Sequence, residues 1–195
     1  MNLFDTEITK WLNSGPGGFG PLDWVIKLLA SDYLFPPMFA LVIIGVIFIG
    51  RNPEERFRYQ RIAFKAVIAI AMSNWVVAIF NSQFDRARPY VALPDDIELM
   101  FYPATDPSFP SNPTAVGFAV AVALFPVSRR LSIGLASAAL IVGFTRVYAG
   151  AFYPTDVAGA ALIGAAMPSV AGGIIRLFDP ALNLALRVAR AFAVA

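Results

Sequence analysis

The sequence contains no histidine and no cysteine. Without histidine, the chain has no imidazole to serve as a nucleophile, a general base or a metal ligand. Without cysteine it has neither a disulfide nor a thiolate ligand, so the redox compartment is left undetermined. Charge is also scarce, because only 14% of the residues are charged and the formal net charge is +2. A nucleic-acid-binding surface is therefore not expected.

Apolar residues dominate instead. They make up 58% of the 195 residues, and the mean hydropathy is +0.67, which is typical of an integral membrane protein. Five intervals without charge, at 33–50, 66–84, 107–128, 131–145 and 157–175, each predict one membrane-spanning helix, the third beginning after a loop that ends near Ser111. The sequence therefore predicts an all-α, polytopic membrane helix bundle with five transmembrane helices. We expect a single domain over 1–195, with short interfacial helices over 1–31, the bundle over 33–176 and an amphipathic tail over 180–195.

The basic residues indicate the orientation of this bundle. If every interval crosses the membrane once, one side receives Arg51, Arg56, Arg58, Arg61, Lys65, Arg129, Arg130, Arg176, Arg187 and Arg190. By the positive-inside rule, that side is cytoplasmic. Three polar segments, at 85–90, 109–113 and 144–156, then share the outer side.

The segment 144–156 places Arg146 and Asp156 at the depth of the membrane rim, where charges are costly and usually functional. Gly150 and Pro154 predict a break between two helices, because glycine loosens a helix end and proline suits a first helical turn. This break turns Arg146 and Asp156 toward one pocket, which the other two polar segments could complete.

These segments, in this order, resemble the motifs of the type 2 phosphatidic acid phosphatase family, which carries Lys-x6-Arg-Pro, then Pro-Ser-Gly-His, then Ser-Arg-x5-His-x3-Asp. The first motif corresponds to Arg88-Pro89, with Asn81 in place of lysine. The second corresponds to Pro110-Ser111, with Asn112 and Pro113 in place of glycine and histidine. The third corresponds to Thr145-Arg146 and Asp156, with Phe152 in place of histidine. The resemblance covers about 4–176 and implies an integral protein of the bacterial inner (plasma) membrane, with its site facing the periplasm.

In such a phosphatase one histidine, oriented by the aspartate, attacks phosphorus, and a second protonates the leaving alcohol. Phe152 and Pro113 can do neither, so the resemblance implies a catalytically inactive site. What it retains is a set of anion-binding groups, because arginine and amide donors bind phosphate without catalysis. The set consists of Arg88, Ser111, Asn112 and Arg146, with Arg86 as an additional candidate. No metal or cofactor is expected, and the acidic residues at 95–98 and Asp106 are interpreted as a solvated loop.

Several interpretations stay open at this point. The pocket binds a phosphorylated lipid head group, for example a polyprenyl or glycerolipid phosphate. Alternatively, Asp156 pairs with Arg146 or Arg88 and seals the pocket, Phe152 fills the space of the nucleophile, and the chain is an accessory subunit bound to partner membrane proteins. A third interpretation is an active phosphatase with an unorthodox route, such as an aspartyl phosphate at Asp156 or Asp85.

Overall fold

The computed structural model describes residues 3–15, 20–31, 33–100 and 102–193, with side chains described in these ranges except at 22 and beyond 178. This part of the chain is all-α, as predicted. Its helices are α1 (Leu3–Asn13), α2 (Gly20–Ala30), α3 (Phe35–Phe48), α4 (Pro53–Gln83), α5 (Pro89–Ala92), α6 (Asn112–Ala123), α7 (Arg129–Tyr148) and α8 (Pro154–Ala193). The predicted amphipathic tail over 180–195 depends on side chains that lie outside the described set.

The five predicted spans overlap α3, α4, α6, α7 and α8, but the described residues contain three helices, or four spans if a bent pair counts as one, that could cross a membrane. Within the described ranges, Pro53–Gln83, Arg129–Tyr148 and Pro154–Phe178 are each long and apolar enough to cross a membrane. The segments Asp23–Ala30 and Phe35–Phe48, bent by 53°, meet the same test only as one broken span. Helix α6 has 12 residues and is about 18 Å long, which is less than a hydrocarbon core of about 30 Å.

Local sequence explains where the long helices begin. Asn52 caps α4, because its side-chain oxygen accepts a 2.8 Å hydrogen bond from the backbone N–H of Glu55. Pro53 occupies the first turn that follows, where its missing N–H costs nothing. Ser128 caps α7 in the same way, accepting a 3.3 Å bond from the N–H of Leu131.

Helix α6 lies at the centre of the bundle and packs against α4, α7 and α8. Small residues make this packing close: a Cβ atom at Gly164 of α8 would overlap the backbone of Ala115 in α6. Larger side chains fill the space toward α3, where Phe39 and Val46 pack in one cluster with Leu124 of the loop after α6. The first residues of the short helix α6 therefore lie among α4, α7 and α8.

Helix α1 has its polar face turned toward the protein. Asp5, Thr6, Thr9 and Asn13 are buried, whereas Leu3, Phe4 and Trp11 are exposed. The helix contacts α7 and α8. This arrangement suits a helix in the membrane interface, because its outward side chains are those that partition into lipid.

Candidate anion-binding site

A pocket of about 220 Å³ lies where α6 begins and α7 ends. It is lined by Arg88, Tyr102, Ala104, Asp106, Asn112, Pro113, Arg146 and Phe152. The structure thus brings together residues from all three polar segments, although Arg88 and Phe152 are 64 positions apart in the sequence. Two guanidinium groups face a small, partly open volume.

Arg88 is held by several contacts at once. Its Nε donates to the backbone carbonyl of Asp106 at 2.9 Å, its Nη2 donates to the carboxylate of Asp106 at 2.9 Å, and its Nη1 donates to the carbonyl of Ala151 at 3.3 Å. Its guanidinium carbon lies 4.5 Å from the ring centroid of Phe152. Arg88 itself is 5% exposed, whereas the Asp106 side chain is 55% exposed. The arginine is therefore pre-oriented, and a solvent-accessible carboxylate occupies one of its donors.

Arg146 enters the pocket from the last turn of α7, where it is buried. Asn112 and Pro113 enter from the first turn of α6, whose N-terminal end carries a partial positive charge. These placements agree with the sequence prediction that Arg88, Asn112 and Arg146 share one site. They also put Pro113 and Phe152, at the two histidine positions of the motif, on the wall of that site.

Asp156 does not bind Arg146 or Arg88, so the alternative in which such a pair seals the pocket is not what the structure shows. Its Oδ1 accepts a hydrogen bond from Nη1 of Arg86, and its Oδ2 accepts a 2.8 Å bond from the backbone N–H of Tyr153. The reason is local: Asp156 lies in the first turn of α8, so its carboxylate folds back onto the residues just before the helix. Asp156 therefore does not seal the pocket.

Arg86 also binds Asp5, a residue of α1. Its Nη2 donates to Oδ2 of Asp5 at 2.7 Å, and its Nη1 donates to the hydroxyl of Thr155 at 2.9 Å. Thr155 in turn donates its own backbone N–H to Oδ1 of Asp5 at 3.1 Å. Arg86 therefore binds two carboxylates, and it does not line the pocket. These contacts do not favour its predicted role as an anion ligand.

Tyr153 completes this ion cluster of Asp5, Arg86 and Asp156. The guanidinium carbon of Arg86 lies 4.2 Å from the centroid of its ring, which is a cation–π contact. Burial raises the pKa of the Tyr153 phenol, and the Arg86 charge lowers that pKa by a smaller amount. The phenol is accordingly neutral at physiological pH and adds no third negative charge.

Two other predicted site residues lie away from the pocket wall that the described residues form. The hydroxyl of Ser111 is 3.0 Å from that of Thr114, and its backbone N–H donates to the carbonyl of Asp156 at 3.2 Å. Ser111 is fully buried, and its side chain contacts the first turn of α6 and not the pocket. Asn81, at the lysine position of the motif, lies in the last turns of α4 and also does not contribute to the pocket wall.

A second cavity, the apolar groove, adjoins the pocket. It has a volume of about 500 Å³ and is lined by Phe35, Pro36, Phe39, Ala40, Ile43, Ile44, Val67, Ile70, Asn74, Asn112, Pro113 and Val116. These residues belong to α3, α4 and α6. Asn112 and Pro113 line both cavities, so the groove and the arginine-lined pocket are neighbours at the first turn of α6.

Sequence reasoning missed Asp5 and Asp106 as members of these clusters. Asp106 lies in the loop between the acidic residues at 95–98 and α6, and nothing local indicates its contact with Arg88. For Asp5 a pattern was available, since Asp5, Thr6, Thr9 and Asn13 recur at helical spacing and form one polar face. A polar face of this kind is usually expected to contact water, so the contact of Asp5 with Arg86 was not predicted.

The fold and the pocket define a polytopic helical membrane protein with a small cationic site at one end of its bundle. The model of the PAP2 superfamily matches residues 62–172, which is more than half of the chain, so the chain belongs to the PAP2 superfamily.

Comparison with individual proteins agrees with this assignment. The chain is 24% identical over 152 residues to undecaprenyl-diphosphatase BcrC of Bacillus subtilis (strain 168), covering 77% of this chain and 74% of that protein. It is 33% identical over 107 residues to the putative undecaprenyl-diphosphatase YbjG of Escherichia coli (strain K12), covering 54% and 52%. The crystal structure of Aquifex aeolicus LpxE superposes with a TM-score of 0.69 at 26% identity, covering 87% of this chain and 95% of that one. A transmembrane PAP2-type phosphatidylglycerolphosphate phosphatase from Bacillus subtilis, with a TM-score of 0.64 at 18% identity and coverage of 89% and 85%, shares the fold.

Proposed function

We propose that this chain is a lipid-phosphate-binding member of the PAP2 superfamily that does not hydrolyse its ligand. The observation that carries the proposal is that two cavities are neighbours: the pocket lined by Arg88 and Arg146 and the apolar groove share Asn112 and Pro113 as lining residues. An arginine pair suits a phosphate, and a 500 Å³ apolar groove suits a lipid chain attached to it. A soluble phosphate ester would leave the groove unused.

The ligand class follows from the relatives. Two proteins similar to this chain are named as undecaprenyl-diphosphatases. We therefore propose a polyprenyl phosphate or diphosphate as the ligand, with the phosphate between the two guanidinium groups and the first prenyl units in the groove.

The absence of hydrolysis is proposed on chemical grounds. The resemblance described above assigns the nucleophile and the acid to histidines, and the chain contains none. Phe152 and Pro113 line the pocket at those positions and cannot transfer a proton or bond to phosphorus. Each such group commonly supplies a factor of about 10² to 10⁴ in rate.

Binding is tested with purified protein and undecaprenyl phosphate by native mass spectrometry. The variant Arg88→Gln plus Arg146→Gln should bind about 100-fold more weakly, because each charge-assisted hydrogen bond contributes roughly 1.5–3 kcal/mol. The control variant Arg129→Gln plus Arg130→Gln makes the same charge change away from the pocket and should bind like wild type. Undecaprenol, which has no phosphate, should bind equally weakly to all three proteins.

A groove variant separates chain recognition from phosphate recognition. Ala40→Trp places a bulky ring in the groove, and it should weaken binding of undecaprenyl phosphate but not of a phosphate ester with a single prenyl unit. Equal binding of undecaprenyl phosphate to wild type and to the double arginine variant would refute the proposed site. If the wild type releases inorganic phosphate and Asp106→Asn does not, the proposed absence of hydrolysis is refuted. Catalysis would then be assigned to the Asp106 carboxylate.

A further inference from the structure

Asp106 lies on the wall of the arginine-lined pocket, and the proposed function gives it no role. Among the described side chains that line this pocket, Asp106 is the acidic one. Its carboxylate accepts a 2.9 Å hydrogen bond from Nη2 of Arg88 and is 55% exposed, so a ligand in the pocket meets a negative charge. A site that only had to attract phosphate would bind more tightly without this carboxylate.

The loop that carries Asp106 is anchored on both sides of this residue. The phenolic hydroxyl of Tyr90 donates to the backbone carbonyl of Ala104 at 2.6 Å. The backbone N–H of Ser108 donates to the carbonyl of Arg86 at 2.9 Å. The backbone around Asp106 is therefore fixed beside the pocket, and its carboxylate stays within reach of a ligand.

Arg88 has only part of its hydrogen-bonding capacity left for a ligand. A guanidinium group has five N–H donors. Nε and Nη2 donate to the backbone carbonyl and the carboxylate of Asp106, and Nη1 donates to the carbonyl of Ala151. Within the described part of the chain, two N–H donors remain, which is the number that one phosphate group uses in a bidentate contact. The Asp106 carboxylate also balances the charge of Arg88.

A diphosphate bound in this pocket would extend toward Asp106. In a polyprenyl diphosphate, the second phosphate is bonded to the first on the side opposite the prenyl chain. The groove proposed for that chain shares Asn112 and Pro113 with the pocket. The walls that the groove does not share include Ala104 and Asp106, in the loop between α5 and α6. The second phosphate thus points toward the side that carries the carboxylate, where like charges repel each other.

We propose that Asp106 is a specificity-determining residue, whose carboxylate makes the site selective for a polyprenyl monophosphate over a diphosphate. This inference rests on the proposed function, because it refines which phosphate ligand the same pocket takes. The monophosphate uses the two remaining N–H donors of Arg88. The second phosphate of a diphosphate brings a further negative charge beside the carboxylate and obtains no further donor from Arg88.

The test compares undecaprenyl phosphate with undecaprenyl diphosphate, by native mass spectrometry of the purified full chain without divalent cations. Wild type should bind the monophosphate about fivefold more tightly or better, because one additional unit charge at contact distance in water changes affinity by about that factor. Asp106→Asn keeps the size of the side chain, and it should tighten diphosphate binding about fivefold more than monophosphate binding. Asp106→Glu keeps the charge and should keep the preference.

The ratio of the two dissociation constants is the decisive quantity, because a folding defect or a misplaced Arg88 lowers both affinities alike. The control Asp96→Asn removes a carboxylate that pairs with Lys10 outside the pocket, and it should leave the ratio unchanged. The same ratio in wild type and in Asp106→Asn would overturn the inference. Tighter binding of the diphosphate than of the monophosphate to wild type would overturn it as well.

Failure of the proposed function gives a different result. In that case Arg88→Gln plus Arg146→Gln would bind both lipids as wild type does, which would refute the site and, with it, the role of Asp106. Loss of binding in the double arginine variant, together with an unchanged ratio in Asp106→Asn, would overturn the role of Asp106 alone.

Discussion

Asp5 and Arg86 are joined by a 2.7 Å hydrogen bond between a carboxylate oxygen and Nη2 of the guanidinium, across 81 positions of sequence. The same guanidinium binds Asp156 through its other terminal nitrogen. One cation thus compensates two buried carboxylates and joins α1 to the first turn of α8. The candidate site is built beside this ion cluster.

Loss of Arg86 should therefore be severe. Arg86→Met leaves Asp5 and Asp156 buried without a counter-charge, and removal of one partner from a buried ion pair costs about 3–5 kcal/mol. We expect a loss of that size in the unfolding free energy of the detergent-solubilised protein. Asp5→Asn should cost much less, since it keeps a hydrogen-bond acceptor and leaves one carboxylate for one guanidinium. Arg130→Met, at an exposed position, is the control, and a comparable loss there would contradict the assignment.

Asp106 should compete with the ligand for Arg88. Its carboxylate is more than half exposed and bonds Nη2 of Arg88, so a bound phosphate must displace it or share that donor. Exposed ion pairs contribute roughly 0.2–1 kcal/mol, so Asp106→Asn should tighten binding of undecaprenyl phosphate by about two- to fivefold. The control is Asp96→Asn, which removes a carboxylate that pairs with Lys10 outside the pocket. Weaker binding by Asp106→Asn would mean that the carboxylate orients Arg88 for the ligand.

Gly150 should not tolerate a side chain. Its φ is +76°, and a Cβ atom would lie 2.7 Å from Cγ2 of Ile97 and 2.9 Å from the carbonyl oxygen of Glu98. Gly150→Ala should lower the unfolding free energy by about 1–3 kcal/mol, measured by chemical denaturation in detergent. Gly134→Ala is the matched control, because no neighbouring atom lies within 4 Å there and helical alanine is favoured by about 0.5–1 kcal/mol. Equal effects at both positions would refute the conformational argument.

Restoring the motif residues should not restore a full phosphatase. In Asn81→Lys plus Pro113→His plus Phe152→His, the aspartate needed to orient a histidine at 152 is already bound to Arg86 and to the N–H of Tyr153. Position 81 also lies away from the pocket wall. We expect phosphate release from undecaprenyl diphosphate to stay at least about 100-fold slower than that of a histidine-containing relative assayed alongside. The same triple with Phe152→Ala is the background control, and rates that match the relative would contradict this expectation.

Much of the fold could be predicted because the apolar intervals are long and the polar segments few. The helix break between Arg146 and Asp156 follows from Gly150 and Pro154, and the convergence of Arg88, Asn112 and Arg146 follows from the motif order. The partner of Asp156 could not be predicted, because Arg86, Arg88 and Arg146 all stand in the polar segments that were expected to meet it. Only the direction of the first turn of α8 selects Arg86.

The polar face that contains Asp5 could be recognised in the sequence, but its contact with Arg86 could not be predicted, for a different reason. Polar side chains on an amphipathic helix normally face water, and the sequence contains nothing to indicate that a half-buried arginine 81 positions away binds a second carboxylate. The boundaries of α6 also differ from the predicted span, because apolar composition continues through residues that form turns. Hydropathy identifies what can enter a membrane, but the length of a helix depends on its caps and its neighbours.

The inward polar face of α1 has a consequence for biosynthesis. This helix is translated well before the residues that bind its side chains, which are Arg86 and Thr155 for Asp5, and Glu98 and Tyr148 for Asn13. Until the ribosome has delivered those later residues, α1 has nowhere to satisfy its carboxylate and its amide except water. The docking of α1 is therefore a late step of assembly, because it requires residues as far along the chain as Thr155.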